Sequence, residues 1–135
     1  METILLVGSN GEIGSYLYKE NKENYNIVSI SKTKPINSNK GYECDLLDDK
    51  SVKKLVNQLC KIDVVIFLVG LAHSKGAKKD LRKFRDTNYK SLVNILENLK
   101  RINKQPKKII FSSSISIYGE ELSKNIYLEK SKAEP

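Results

Sequence analysis

Apolar positions along this chain follow two alternating rhythms. Short runs rich in β-branched residues predict strands at 4–7, 27–30, 42–44, 63–70 and 108–114, and apolar residues spaced three and four apart predict helices between them. The first helix spans 13–21 and opens from a glycine-rich turn. The second spans 50–60, with Val52, Leu55, Val56 and Leu59 on one face. A longer stretch, 80–102, sets Leu81, Phe84, Leu92, Ile95, Leu96 and Leu99 along one side, with Pro106 after its end. A polar loop at 31–41, containing Pro35 and Gly41, parts the second strand from the third. The segment DVVIFLVG at 63–70 is apolar without alternation, the pattern of a strand buried on both faces of a parallel sheet.

The element order is β-α-β-loop-β-α-β-α-β. It predicts an α/β fold: a doubly wound sheet of five parallel strands in the order 3-2-1-4-5, with right-handed crossovers and helices on both faces. At 135 residues, 39% of them hydrophobic, the chain suits one domain spanning 1–135. Its apolar runs are too short to cross a bilayer, and no basic stretch precedes an apolar one at the N-terminus. The expectation is a cytoplasmic protein without a membrane partner. Cys44 and Cys60 fall in different predicted elements and lack metal-ligand spacing, so they read as free buried thiols and no metal is expected.

The net charge of +8 alters this picture little. Its densest cluster, SKGAKKDLRKFR at 74–85, holds six cations relieved only by Asp80. A solvated basic face, a patch for a phosphate-bearing ligand and a nucleic-acid surface all fit those charges. Without interleaved aromatic residues, nucleic acid is the weakest of the three.

More chemistry lies in LLVGSNGEIGSYL at 5–17, where Gly8, Gly11 and Gly14 stand three apart between the first strand and the first helix. A strand-to-helix turn needs glycine for its backbone geometry alone. In the first unit of a parallel sheet, glycines also let the backbone approach a pyrophosphate, and the helix N-terminus offers unpaired N–H groups and partial positive charge. Both readings fit; the placement favours a dinucleotide.

Five ordered motifs then carry a resemblance over essentially the whole chain. They are the three glycines, DLLD at 45–48, VIFLVGLAH at 65–73, TNYKSLVNIL at 87–96 and IIFSSSISIYGE at 109–120. Together they resemble the extended short-chain dehydrogenase/reductases, the NAD-dependent epimerase/dehydratase group, which have a Rossmann-type fold. The resemblance implies that the backbone N–H groups of Asn10, Glu12 and Ile13 meet phosphate in the glycine loop. It implies that Asp45 accepts a hydrogen bond from the adenine amino group while Leu46 packs on the ring, although Asp45 could equally cap the helix that follows. Val69 and Gly70 would border the nicotinamide ribose, where the family usually has two small residues. Asn88 would support the active site from the fourth helix, or with Lys90 form an exposed polar pair.

The cofactor implied is NAD or NADP. An NAD site usually places a carboxylate at the end of the second strand, about 20 residues past the glycine turn. Here VSISKTK at 28–34 has no acid, and Ser31, Lys32 and Lys34 suit a 2′-phosphate, which favours NADP. A solvated loop end is the alternative.

Catalysis in the family uses a Ser or Thr after the fifth strand together with Tyr-x-x-x-Lys. Counting back from Tyr118 and Gly119 places the Ser on Ser114, beside Ser112 and Ser113. Tyr127 fails the spacing, since Ser131 lies four residues on and the nearest lysines, Lys130 and Lys132, lie three and five on. The chain is therefore expected to stop before the helix bearing the Tyr and Lys, and before the sixth strand and the substrate domain. On this reading it is the cofactor-binding part of a nucleotide-sugar epimerase, dehydratase or reductase, inactive alone and homo-oligomeric through 80–102 or the fifth strand's edge. The alternative is a non-catalytic dinucleotide-binding sensor or partner-binding domain.

Overall fold

In the computed structural model, residues 1–36, 38–71, 81–118 and 128–133 are described. Five parallel strands form one sheet in the order β3-β2-β1-β4-β5. They are β1 (Thr3–Val7), β2 (Asn26–Ser31), β3 (Gly41–Glu43), β4 (Val64–Phe67) and β5 (Lys108–Phe111). The helices are α1 (Glu12–Asn21), α2 (Asp49–Gln58), α3 (Leu81–Arg85) and α4 (Ser91–Arg101), with a 3-10 turn at Ile115–Tyr118. Fold class and strand order are those the sequence predicts.

Side-chain alternation along the central strands divides the core in two. Leu5, Val7, Val28, Ile30, Val65 and Phe67 point to the face covered by α2 and α4, where they meet Val52, Leu55, Val56, Ile95 and Leu99. Ile4, Leu6, Ile27 and Ile66 point the other way, toward Leu17 and Tyr18 of α1. The first face is closed, with Val65, Phe67, Ile95 and Leu99 fully buried. The second is thinner. Val64 and Ile66 are only half-buried, so the run at 63–70 is not enclosed on both faces as its composition suggests. Among the described residues, α1 is the helix that packs on that side.

Three other expectations need correcting. The stretch 80–102 is not one regular helix: Asp86–Lys90 forms a π-helical turn between α3 and α4. Strand β5 ends at Phe111, and Ile109, Ile110 and Phe111 are each about half exposed. Ring stacking of Phe111 on Phe67, with centroids 6.1 Å apart, ties this strand to β4. Cys44 is a buried thiol as expected, but Cys60 is exposed, and both are free. His73, Ser74 and Lys75, most of the basic cluster at 74–85, and Tyr127 lie outside the described residues.

Candidate functional site

The site starts from the turn after β1. Gly8 has φ +91°, a conformation side chains disfavour, and a Cβ there would press on the Leu68 carbonyl carbon and the Val69 nitrogen at 3.2 Å. Its N–H donates to the Ile30 carbonyl at 2.8 Å, fixing the turn to the end of β2. A Cβ on Gly14 would overlap the Gly8 carbonyl oxygen, so this glycine lets α1 pack directly on the turn. Gly11 is the N-cap of α1 with ordinary extended dihedrals and no side-chain cap bond, which leaves the first-turn amides of Glu12 and Ile13 without a capping side chain.

Beside this turn, at the carboxyl ends of the strands, opens a cleft of about 420 Å³. It brings together Gly8, Gly11, Ser31, Lys32, Asp45, Leu46, Val69 and Gly70, eight residues that the sequence singles out from four separate segments. Ligands of open α/β sheets bind in such crevices, outside the carboxyl ends of the strands. Asn10, Glu12, Ile13, Gly14, Asn88 and Ser114 are not in its lining. Glu12 and Ile13 occupy the exposed first turn of α1. Ser114 follows β5 and accepts from the Ile117 N–H through its carbonyl at 3.2 Å.

Asp45 does not cap α2. That role belongs to Asp48, whose carboxylate accepts from the N–H groups of Lys50 and Ser51. Asp45 instead accepts from the Leu47 N–H through Oδ1 at 3.0 Å, while Lys32 Nζ lies 2.9 Å from Oδ2. The Lys32 hydrogen bond, helped by the Leu47 amide, holds the Asp45 carboxyl below its ordinary range. Beside it, burial first, then the charges of Asp45 and Asp48, push the Cys44 thiol up to about 11. Leu46 is buried, and its carbonyl is held by Asn94 Nδ2 at 2.8 Å.

Asn88 sits in the π-helical turn, where its side chain clasps the backbone after β4. The Leu71 N–H donates to Oδ1 at 2.6 Å, and Nδ2 donates to the Leu71 carbonyl at 3.1 Å. Both bonds fix the segment that carries Val69 and Gly70, and the exposed Lys90 lies 4.0 Å from Asp86 Oδ1. Thr87 and Ser91 also line the cleft, and both lie in the 87–96 motif although its pattern marks only Asn88 as a site residue. The side chain of Asn10 has a role that no motif signals. Its Nδ2 donates to Thr33 Oγ1 and the Lys34 carbonyl, and its Oδ1 accepts from the Ile36 N–H, so it pins the loop after β2 to the glycine turn.

A five-stranded parallel sheet in this order, with helices on both faces, defines a Rossmann-type α/β protein. The chain belongs to the NAD dependent epimerase/dehydratase family, whose pattern it matches over residues 4–135. It is 30% identical over 132 residues to a UDP-glucose 4-epimerase of Yersinia enterocolitica, covering 87% of this chain and 38% of that protein. It also superposes on the UDP-glucose 4-epimerase of Bifidobacterium longum in complex with NAD+ and UDP, with a TM-score of 0.79, 25% identity, and coverage of 98% of this chain and 42% of that one. A monomeric L-threonine 3-dehydrogenase from a metagenome is similar at a TM-score of 0.77 and 28% identity, over 98% of this chain and 42% of its own. The chain thus spans about two-fifths of the length of these relatives. No helix among the described residues is long and apolar enough to cross a membrane.

Proposed function

We propose that this chain is the NAD(P)-binding portion of a nucleotide-sugar epimerase, dehydratase or reductase. One observation carries the reading: eight separately predicted residues converge on a single cleft beside a glycine turn that only a side-chain-free backbone can form. Residues Gly8 and Gly11 leave room for a pyrophosphate, and the first-turn amides of α1, at Glu12 and Ile13, donate to it. Asp45 accepts from the adenine amino group while Leu46 packs against the ring. Val69 and Gly70, held in place by Asn88, border the nicotinamide ribose, and Ser114 holds the substrate hydroxyl in the full enzyme. The dinucleotide, once bound, supplies hydride exchange with a sugar carbon.

The family's dependence on NAD supports NAD, and the lack of an acid at 28–34 gives room for the 2′-phosphate of NADP. The epimerases among the relatives support a nucleotide-sugar substrate, such as a UDP sugar, over an amino acid. Two free cysteines fit a cytoplasmic location. The half-exposed apolar residues of β5 support a homo-oligomer built through that strand or through α4, and sedimentation at micromolar concentration reads it directly.

Calorimetric titration with NAD and NADP tests the reading, alongside Gly11→Leu. Position 11 lines the cleft and has dihedrals that any residue adopts, and a Cβ there lies 3.3 Å from the Gly8 oxygen, so a thermal melt of the variant checks folding alongside the titration. We expect weak but measurable binding by the native chain and none by the variant. Equal binding by both would remove the assignment of the turn.

A further inference from the structure

We propose a second ligand site, on the α1 face of the sheet and separate from the dinucleotide cleft, that takes a small phosphomonoester bearing a hydroxyl group. It stands independently of the cofactor reading. A cavity of about 550 Å³, larger than the dinucleotide cleft, lies between α1, β2 and the loop that follows β2.

The cavity originates in residue size. Ser29 pairs with Leu6 of β1 and with Gly41 of β3, so all three positions face α1. Gly41 has no side chain, and Pro35 of the loop closes over it, its Cβ 2.9 Å from where a Cβ on the glycine would stand. Ser29 is too small to fill the space that remains beside Leu6. It lines the cavity, is fully buried, and its Oγ has no hydrogen-bond partner. Buried hydroxyls are almost always bonded, and an unpaired one destabilises the fold, so Ser29 offers a bond to whatever polar group enters the cavity.

The wall formed by α1 is polar too. Ser15, Tyr18 and Lys19, with Lys22 at the C-cap, follow one another at i, i+3, i+4 and i+7 along one side of the helix and line the cavity. Where a helix merely covers a sheet, such a stripe is apolar. Tyr18 Oη accepts from the Asn39 N–H at 3.1 Å and keeps its own proton to donate. Ser15 Oγ donates to the Ser9 carbonyl at 3.1 Å and keeps its lone pairs to accept. Lys22 Nζ lies 4.0 Å from Glu23 Oε1, while Lys19 has no carboxylate partner among the described residues, and no acidic residue lines the cavity. Two ammonium groups match the charge of a phosphomonoester near neutral pH, about −1.5 to −2. The lysines hold the phosphate as point charges, and the orphaned Ser29 hydroxyl bonds a hydroxyl of the organic part. Lysines in a last turn also complement the helix dipole, so they alone make no site. The cavity and the unpaired buried hydroxyl are what add one.

The test is calorimetric titration of glycerol 3-phosphate, and of inorganic phosphate in parallel, into the native chain, Ser29→Ala, the Lys19→Met, Lys22→Met double variant, and Gly11→Leu. Thermal melts of all four check folding. Glycerol 3-phosphate should bind the native chain more tightly than inorganic phosphate does. Its affinity should fall about two- to tenfold in Ser29→Ala and about tenfold or more in the double lysine variant. Gly11→Leu should leave it unchanged, since position 11 is not in the lining of this cavity. Binding lost in Gly11→Leu and kept in the other variants puts the phosphate on the glycine turn, which overturns the inference and leaves the cofactor reading standing. An affinity equal to that of inorganic phosphate and indifferent to Ser29→Ala shows exposed lysines attracting an anion and overturns it as well, as does the absence of binding at millimolar ligand.

Discussion

Replacing Gly14 by alanine sets two effects of known sign against each other. In a helix, alanine stabilises relative to glycine by about 0.5–1 kcal/mol. Against this, the new methyl overlaps the Gly8 carbonyl oxygen and comes within 2.8 Å of the Ser9 Cα. Neither atom can swing aside: Gly8 is held by its bond to Ile30, and Ser9 is buried with its N–H on the same carbonyl at 3.2 Å. Forcing packed groups apart costs about 1–3 kcal/mol or more, and an overlap with two backbone atoms puts the cost at the upper end, about 2–3, so the clash wins and the net loss is about 1–2 kcal/mol. Urea unfolding reads this as a midpoint roughly 0.5–1 M lower at unchanged slope. Gly11→Ala is the comparison, with ordinary dihedrals and one contact at 3.3 Å where Gly14 has an overlap, and should lower the midpoint less than Gly14→Ala does. A Gly14→Ala chain as stable as the native protein, or more so, would refute the close packing of α1 on the turn.

The carboxyls of Asp45, Asp48, Asp49 and Asp63 are all held below their ordinary range, chiefly by hydrogen bonds from Lys32, Ser51, Lys53 and the Thr3 amide respectively. The unfolded chain therefore binds protons more readily, so the stability they provide is complete above the usual carboxylate range and is lost as pH falls below about 4; circular dichroism should show acid unfolding there, and Asp63→Asn should be less stable at neutral pH and lose less stability as the pH falls. Cys44 has the opposite sign: its raised thiol contributes stability that disappears as pH climbs toward about 11, and Cys44→Ala should flatten that alkaline loss in thermal melts. At pH 8 a thiol reagent should modify the exposed Cys60 promptly and Cys44 only on unfolding; equal rates would contradict the burial of Cys44. Asn88→Leu deletes both bonds to Leu71, worth about 0.5–1.5 kcal/mol each, and should accelerate hydrogen exchange at 69–71.

What could be read from the sequence follows from how local each feature is. Val65 and Phe67 belong to an apolar run whose burial depends on composition and period, and the strand order follows from alternation and handedness. The π-helical turn was not readable from that periodicity. An i to i+5 turn adds a residue and shifts the phase, so Phe84 and Leu92 could not lie on the one regular stripe assumed for 80–102. The half-exposure of Ile110 was also hidden, because a β-branched residue fits a covered or an open face equally well. At the site, the glycine turn is local and was readable from spacing alone. The side-chain bridges from Asn10 to Thr33 and from Lys32 to Asp45 join segments that only the packed strands bring together, and no spacing rule encodes them.

Hydrogen exchange on the native chain, with and without saturating NAD, tests the central claim most directly because it reports where the ligand sits. Dinucleotide binding in the cleft predicts slowed exchange at the amides of 11–14, 45–47 and 69–71, the turn and the two walls of the cleft, with α2 and β5 unaffected. Protection confined to the opposite face of the sheet, around Tyr18 and Ser29, or none at a concentration where binding is saturated, would contradict it.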